Sequence, residues 1–229
     1  MAGFHGFNQC HGFLFLIKSY IYDTGNFTIF ADDNQISPHE IPLRNSLLYF
    51  TIQSNFWIAA VCMAGGVMML KGISPGRSWS VAKMMFTISI TLTGTVFCFI
   101  LAPTMEGNPF TLSSCLVHVF SPLLAVVDYL VVSRCLDLRY KDALWGAVPP
   151  LYYLGFASLG YILNWQFSPG VRYPYFFLDW GSPLGAFGFS RSFPFMGVVW
   201  YAVGLLGALV AVSLLYIAAS RALRAGRDA

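Results

Sequence analysis

The sequence predicts an all-α fold: a polytopic membrane protein, a bundle of about six transmembrane helices forming one domain over 1–229. Two observations carry that expectation. Only 10% of the residues are charged, where a soluble domain carries about a quarter, and mean hydropathy is +0.64. The apolar residues also gather into runs of about 20, the length that a bilayer's hydrocarbon core requires. Aromatic residues suit interfacial belts and helix packing. The net charge of +3 is too small to imply a nucleic-acid partner, so the expected surroundings are lipid, with room for an oligomer or a larger membrane assembly.

The first segment, 4–22, is apolar in Phe13-Leu14-Phe15-Leu16-Ile17 but interrupted by His5, Asn8, Gln9, His11 and Lys18. It lacks a basic leader region and a small-residue cleavage site, so it reads as a polar first span rather than a signal peptide, with an interfacial helix as the alternative. Residues 23–45 hold Asp23, Asp32, Asp33, Glu40, Pro38 and Pro42 and form a loop. Four spans follow, over 46–70, 80–102, 113–134 and 142–163. Gly72, Pro75 and Gly76 break the chain after the first of these, Pro103 to Pro109 after the second, and Arg134 to Lys141 after the third. A long aromatic loop over 164–196 contains Pro169, Pro174, Pro183 and Pro194. The last span, 197–220, ends in Arg221, Arg224 and Arg227. Cys10, Cys62, Cys98, Cys115 and Cys135 are scattered, as buried thiols would be, without the spacing of a metal site or a disulfide framework.

Lys71, Arg77, Lys83, Arg134, Arg139, Lys141, Arg221, Arg224 and Arg227 fall on one side of this topology. The other side holds Arg44, Arg172 and Arg191 among Asp23, Asp32, Asp33, Glu40, Glu106 and Asp179. The positive-inside rule puts the first set, and both termini, in the cytosol. Residues 23–45, 103–112 and 164–196 then face outside or a lumen.

The stretch Tyr49-Phe50-Thr51-Ile52-Gln53-Ser54-Asn55 puts polar side chains at the mouth of a span. On a helix Thr51 and Asn55 share a face, with Ser54 beside them. Hydrocarbon supplies no partner for such groups. Either they bond to their own helix and glue helices together, or a further polar group meets them. His118 is the candidate. It is the histidine inside a clear span, about five residues in from the same side as Thr51, so the two can meet roughly 8 Å below the helix mouths. A hydroxyl nucleophile needs a base, and histidine suits that task. Thr51 and His118 are therefore a candidate dyad for acyl transfer, the alternative for His118 being a neutral hydrogen-bonding tie between helices. Asn55 is either an oxyanion donor or helix glue, and Ser54 shares that position. Asp179 either orients the histidine and closes the site, or is solvated or paired with Arg172. Asp128 lies about 15 Å deeper than His118 and reads as a structural, paired or protonated acid. His5, His11 and His39 show no metal spacing, and no phosphate loop, dinucleotide fingerprint or nucleophile elbow is present. No metal and no cofactor are expected.

Leu48-Tyr49-Phe50-Thr51-Ile52-Gln53-Ser54-Asn55, then Leu116-Val117-His118 with Pro122-Leu123-Leu124-Ala125-Val126-Val127-Asp128, then Tyr173-Pro174-Tyr175-Phe176-Phe177-Leu178-Asp179, together resemble the rolling-stone-like family of six-span membrane proteins. That family is similar in turn to the androgen-induced and androgen-dependent membrane proteins, threonine hydrolases of fatty acid esters of hydroxy fatty acids. The resemblance covers most of 45–220 and departs at the unusually polar first span. It implies a catalytic pair at Thr51 and His118 acting on an acyl-ester lipid, although hydrolase activity belongs to the neighbouring branch. The functional expectation is an intramembrane lipid-ester hydrolase. The alternative is a non-catalytic assembly or cell-contact protein in which the same polar residues hold helices together; a small carrier or channel ranks third, because no inverted repeat is evident.

Overall fold

The computed structural model describes residues 46–228 apart from 106, 133–135 and 169. The expected span over 4–22 and the loop over 23–45 lie outside the described residues. A turn closed by the Tyr49 amide on the Ser46 carbonyl, at 3.1 Å, leads into α1, Phe50–Leu70. Gly72 then reverses the chain at φ +64°, a conformation that costs glycine nothing and other residues a steric clash. Helix α2, Arg77–Val96, runs on through a π-helical turn, Phe97–Leu101, and a 3-10 turn, Ala102–Thr104. Helix α3, Leu112–Val132, contains its own π-helical turn at Leu116–Phe120. A 3-10 segment, Tyr140–Ala147, feeds α4, Val148–Ile162. Its Pro149 and Pro150 sit in the first turn, where a missing N–H costs least. The aromatic loop that follows holds one 3-10 turn, Phe176–Leu178, before α5, Val198–Asp228.

These helices overlap the five later expected spans, but α4 begins at Val148 rather than 142, after the 3-10 segment, and α5 runs on to Asp228 rather than ending at 220. Four of them are long and apolar enough to cross a membrane: α1, α2 with its extension, α3, and α5 as far as Ala225. Among the described residues there is no strand beyond two isolated bridges in the loop. The fold is all-α, with the make-up of an integral membrane protein. Its outward faces fit that reading, since Met63, Val67, Leu123, Leu124, Val127 and Leu215 are all exposed.

Helix α2 is the centre of the bundle. It touches each of the other four helices, and 56% of its apolar window is buried, against 17% for α5. Its many hydroxyls are compatible with that position because they bond to their own helix. Thr87, Thr91 and Thr95 donate to the Lys83, Thr87 and Thr91 carbonyls at 2.7, 2.8 and 2.8 Å. Some also reach across: Ser54 on α1 meets Thr93 at 2.8 Å, and Thr91 meets Tyr216 on α5 at 2.8 Å. At the opposite end from Thr51, the Arg77 guanidinium grips Asp142 through one nitrogen at 2.7 and 2.9 Å, and Asp142 caps the 3-10 segment by accepting from the Arg139 amide at 2.7 Å.

Two expectations need correction. Lys83 does not belong with the loop cations. It is 1% exposed inside α2 and ion-paired with Asp128 on α3, with Cys62 Sγ on α1 at 3.1 Å from its ammonium. Charge alone marks a loop only when no opposite charge is available to neutralise it, and here Asp128 is available. Asp128 is accordingly a paired, structural acid. Thr51, read as five residues into a span, is the second residue of α1, because Ser46–Tyr49 forms the turn before the helix rather than its first turn.

Breaking a buried ion pair from one side leaves a charge without compensation, at a cost of about 3–5 kcal/mol, whereas replacing both partners with apolar residues is far milder. Thermal melting of detergent-purified Asp128→Asn and Lys83→Met should therefore show large losses, and the Lys83→Met/Asp128→Leu double variant should recover most of the stability. Equal losses in all three would mean that the two charges are not coupled.

Candidate functional site

Thr51 and His118 meet. The Thr51 Oγ1 lies 3.3 Å from His118 Nε2, and the two residues are 3% and 2% exposed. Thr51 is placed by the start of α1, and His118 by the π-helical turn of α3, in which the Ser121 amide bonds to Leu116 O five residues back. Such turns widen a helix and recur at functional sites. Opposite it lies the π-helical turn of α2, whose Phe97 ring stacks on the imidazole at 4.1 Å and 18°. Gly94 lets the two helices come this close: a Cβ there would stand 2.8 Å from the His118 carbonyl and 3.0 Å from Pro122 Cβ.

The second ring nitrogen decides what His118 can do. Its Nδ1 lies 2.9 Å from the Ser114 carbonyl oxygen and 3.3 Å from the Ser114 hydroxyl. A carbonyl only accepts, so Nδ1 carries the hydrogen, and in a neutral ring Nε2 then presents a lone pair. That lone pair faces the Thr51 hydroxyl. The arrangement is the one a hydroxyl nucleophile needs: a base on the oxygen and an acceptor that fixes the base's tautomer.

A third side chain completes the set. The Tyr175 hydroxyl lies 3.4 Å from Thr51 Oγ1 and accepts from the Thr51 amide at 3.4 Å. Burial pushes its pKa up, so the phenol keeps its proton and can donate. Tyr175 is held from both sides, stacked on Phe177 at 5.2 Å and edge-on to Tyr49 at 6.2 Å. Thr51 and Tyr175 are also part of the wall of a cleft between α1, α2, α4 and α5. This cleft encloses about 670 Å³ of atom-free space, its open mouth included, and is lined chiefly by carbon from Phe50, Leu92, Val96, Leu154 and Leu205. His118 is not in that wall; it sits behind Thr51.

The other residues singled out from the sequence divide as follows. Asn55 donates to the Thr51 carbonyl at 2.7 Å and to the Val117 carbonyl at 3.2 Å. Its amide hydrogens therefore tie α1 to the residue before His118, the helix-glue role, and neither points at an oxyanion. Ser54 donates to Thr51 O at 3.0 Å and meets Thr93, which holds α1 on α2 away from the imidazole. Asp179 accepts from the Gly181 amide at 2.9 Å within its own loop. It orients neither Thr51 nor His118, and Arg172 bonds instead to the Tyr161 carbonyl at 2.9 Å. Tyr175 is the residue that sequence reasoning missed. It stands in the Tyr173–Asp179 stretch, where only the carboxylate drew attention, and a phenol 124 positions from Thr51 carries no periodicity to mark it.

Compared with protein-family models, curated proteins and solved structures, the chain gives no match.

The closeness of α2 and α3 at the imidazole has a measurable consequence. Gly94→Ala places a methyl group against backbone, which cannot move aside as a flexible side chain can. Overpacking of this kind costs about 1–3 kcal/mol, and it should lower the melting temperature. An unchanged melting temperature would mean that the two helices part without cost.

Proposed function

We propose that this protein is an intramembrane hydrolase of fatty acyl esters, with Thr51 as nucleophile and His118 as base, allied to the rolling-stone-like proteins and their threonine-hydrolase neighbours. The observation that carries the reading is the position of the Thr51 hydroxyl between the His118 Nε2 lone pair and an apolar cleft. An acyl chain lies in the cleft with its ester carbonyl at Thr51. The Thr51 oxygen attacks that carbon and its proton passes to His118 Nε2. The Tyr175 hydroxyl and the Thr51 amide are the donors nearest the oxyanion. Collapse expels the alcohol, which takes the proton from His118, and leaves an acyl-threonine. Water, deprotonated by the same imidazole, then releases the fatty acid and restores Thr51.

The wider topology belongs to the same proposal: six spans, both termini cytosolic, and the Thr51–His118 pair near the outer boundary. Exposed Arg139, Arg221 and Arg224 at the end far from Thr51 support that orientation. With the native cysteines replaced, Ser190→Cys should react with an impermeant maleimide on intact cells and Ile73→Cys should not; the reverse pattern would invert the protein.

A second reading, a non-catalytic assembly or cell-contact protein, draws on the near-complete burial of Thr51 and His118 and on the bridging by Ser54 and Asn55. Turnover of a fatty acyl ester and melting temperature, measured on the same preparations, separate the two. Under the hydrolase reading Thr51→Ala abolishes turnover and labelling by a fluorophosphonate, and Thr51→Ser keeps part of both. His118→Ala slows turnover by about 100- to 10,000-fold, and Tyr175→Phe by about 100- to 1,000-fold if it supports the oxyanion. The Thr51→Ala/His118→Ala double variant is little worse than the worse single one, as for members of one catalytic unit. Undiminished turnover in Thr51→Ala ends the hydrolase assignment, and losses of activity that only track losses of folding favour the assembly reading.

A further inference from the structure

Far from Thr51, three arginines from two parts of the chain converge on one cleft. After α3 the chain is extended and alternates: Leu136 and Leu138 are buried, at 2% and 7% exposure, while Asp137 and Arg139 face outward. Near the end of α5, Arg221 and Arg224 are three residues apart and share a helix face; both are exposed. Arg139, Arg221, Arg224 and Asp137 line the same open cleft, which encloses about 840 Å³ of atom-free space with its mouth.

We propose that this cleft binds a phosphate anion presented by a membrane-lipid headgroup. Three observations point that way. Among the described residues none of the three arginines is in an ion pair, and the acid in the cleft, Asp137, pairs with Arg77 at 3.9 Å. The Arg221 guanidinium carbon lies over the Tyr140 ring, 4.8 Å from its centroid. A ring face attracts the cation without consuming its N–H donors, which remain for an acceptor, and arginine takes a phosphate with two parallel hydrogen bonds. The cleft also adjoins the end of the apolar run of α5, whose last residues before Arg221 are Ile217-Ala218-Ala219-Ser220. There hydrocarbon gives way to headgroups, so a lipid phosphate is the anion at hand. Arginines that served only to set topology would work equally well scattered. Their convergence on one cleft, with one of them held by an aromatic ring, is what a binding site adds.

The test uses the full chain in nanodiscs of phosphatidylcholine with and without phosphatidic acid, reading retained lipid by native mass spectrometry. The wild type should keep phosphatidic acid in excess over its share of the disc. Arg221→Gln/Arg224→Gln should cut that excess by an order of magnitude or more, at roughly fivefold per charge. The Arg221→Lys/Arg224→Lys variant should retain part of it, because the charge remains and the planar fork does not. Melting in pure phosphatidylcholine discs shows whether the variants are folded; should the double variant not fold, Arg139→Gln, on the other wall, makes the same test. A second arm adds inositol hexakisphosphate to pure phosphatidylcholine discs. Stabilisation there, lost in the Gln variants, with no enrichment of phosphatidic acid, would overturn the lipid source in favour of a soluble phosphate ester. No enrichment and no stabilisation, or effects equal in wild type and variants, would overturn the site.

Discussion

Hydrocarbon offers no hydrogen-bond partner, so each polar side chain on a spanning helix must find one inside the protein. That constraint organises this bundle. Along α2 the threonines bond back to their own carbonyls, which makes a hydroxyl-rich helix acceptable at the centre of an apolar fold. Some of these hydroxyls also tie helices: Ser54 meets Thr93, and Thr91 meets Tyr216. The two ends of the bundle meet the constraint by different chemistry. At one end Lys83 and Asp128 neutralise each other beside Cys62. At the other, neutral donors and acceptors run from Tyr175 through Thr51 and His118 to the Ser114 carbonyl.

The neutral end depends on backbone geometry more than on side-chain volume. Two π-helical turns, Phe97–Leu101 and Leu116–Phe120, lie opposite each other, and Gly94 allows the approach that puts Phe97 flat against His118. The stack fixes the plane of the imidazole, and the Ser114 carbonyl fixes its rotation about that plane. Asn55 then fixes α1 to the strand of backbone that carries the ring. Thr51 is left with little freedom, since a β-branched side chain in a helix has few open rotamers. Each constraint alone is ordinary; together they hold one hydroxyl on one lone pair.

Four of the expected spans were legible in the sequence because length and hydropathy alone define them. Thr51 and His118 were legible for a related reason: a polar group in an apolar run must answer to a partner, and both entered from the same side. What depended on partners far along the chain was less so. Lys83 reads as a boundary cation until Asp128, 45 residues on, is seen against it. The roles of Asn55 and Ser54 turned on which carbonyl or hydroxyl stood within about 3 Å, which periodicity does not encode. Tyr175 sits in an aromatic loop whose path follows ring packing, with Tyr49, Tyr153 and Phe177 around it, and no helical or strand period places it. Asp179, four residues later, drew attention because carboxylates commonly orient histidines; here a backbone carbonyl takes that place.

That substitution bears on which of the two functional readings the geometry favours. A carboxylate behind His118 would hold Nδ1–H and stabilise the imidazolium that forms on proton transfer. The Ser114 carbonyl also accepts from Nδ1, which in a neutral ring leaves Nε2 an accepting role. A histidine kept merely to tie two helices has no need of a particular tautomer, because either nitrogen can meet a hydroxyl that both donates and accepts. Here the tautomer is fixed from behind, the accepting nitrogen is aimed at a hydroxyl, and that hydroxyl stands at the wall of an apolar cleft beside a protonated phenol. Helix tying explains the burial of these groups. Their polarity, a Thr51 hydroxyl on an accepting Nε2 whose partner nitrogen gives its hydrogen to a carbonyl, is what proton transfer from Thr51 to His118 requires, and it is the reason the hydrolase reading is preferred.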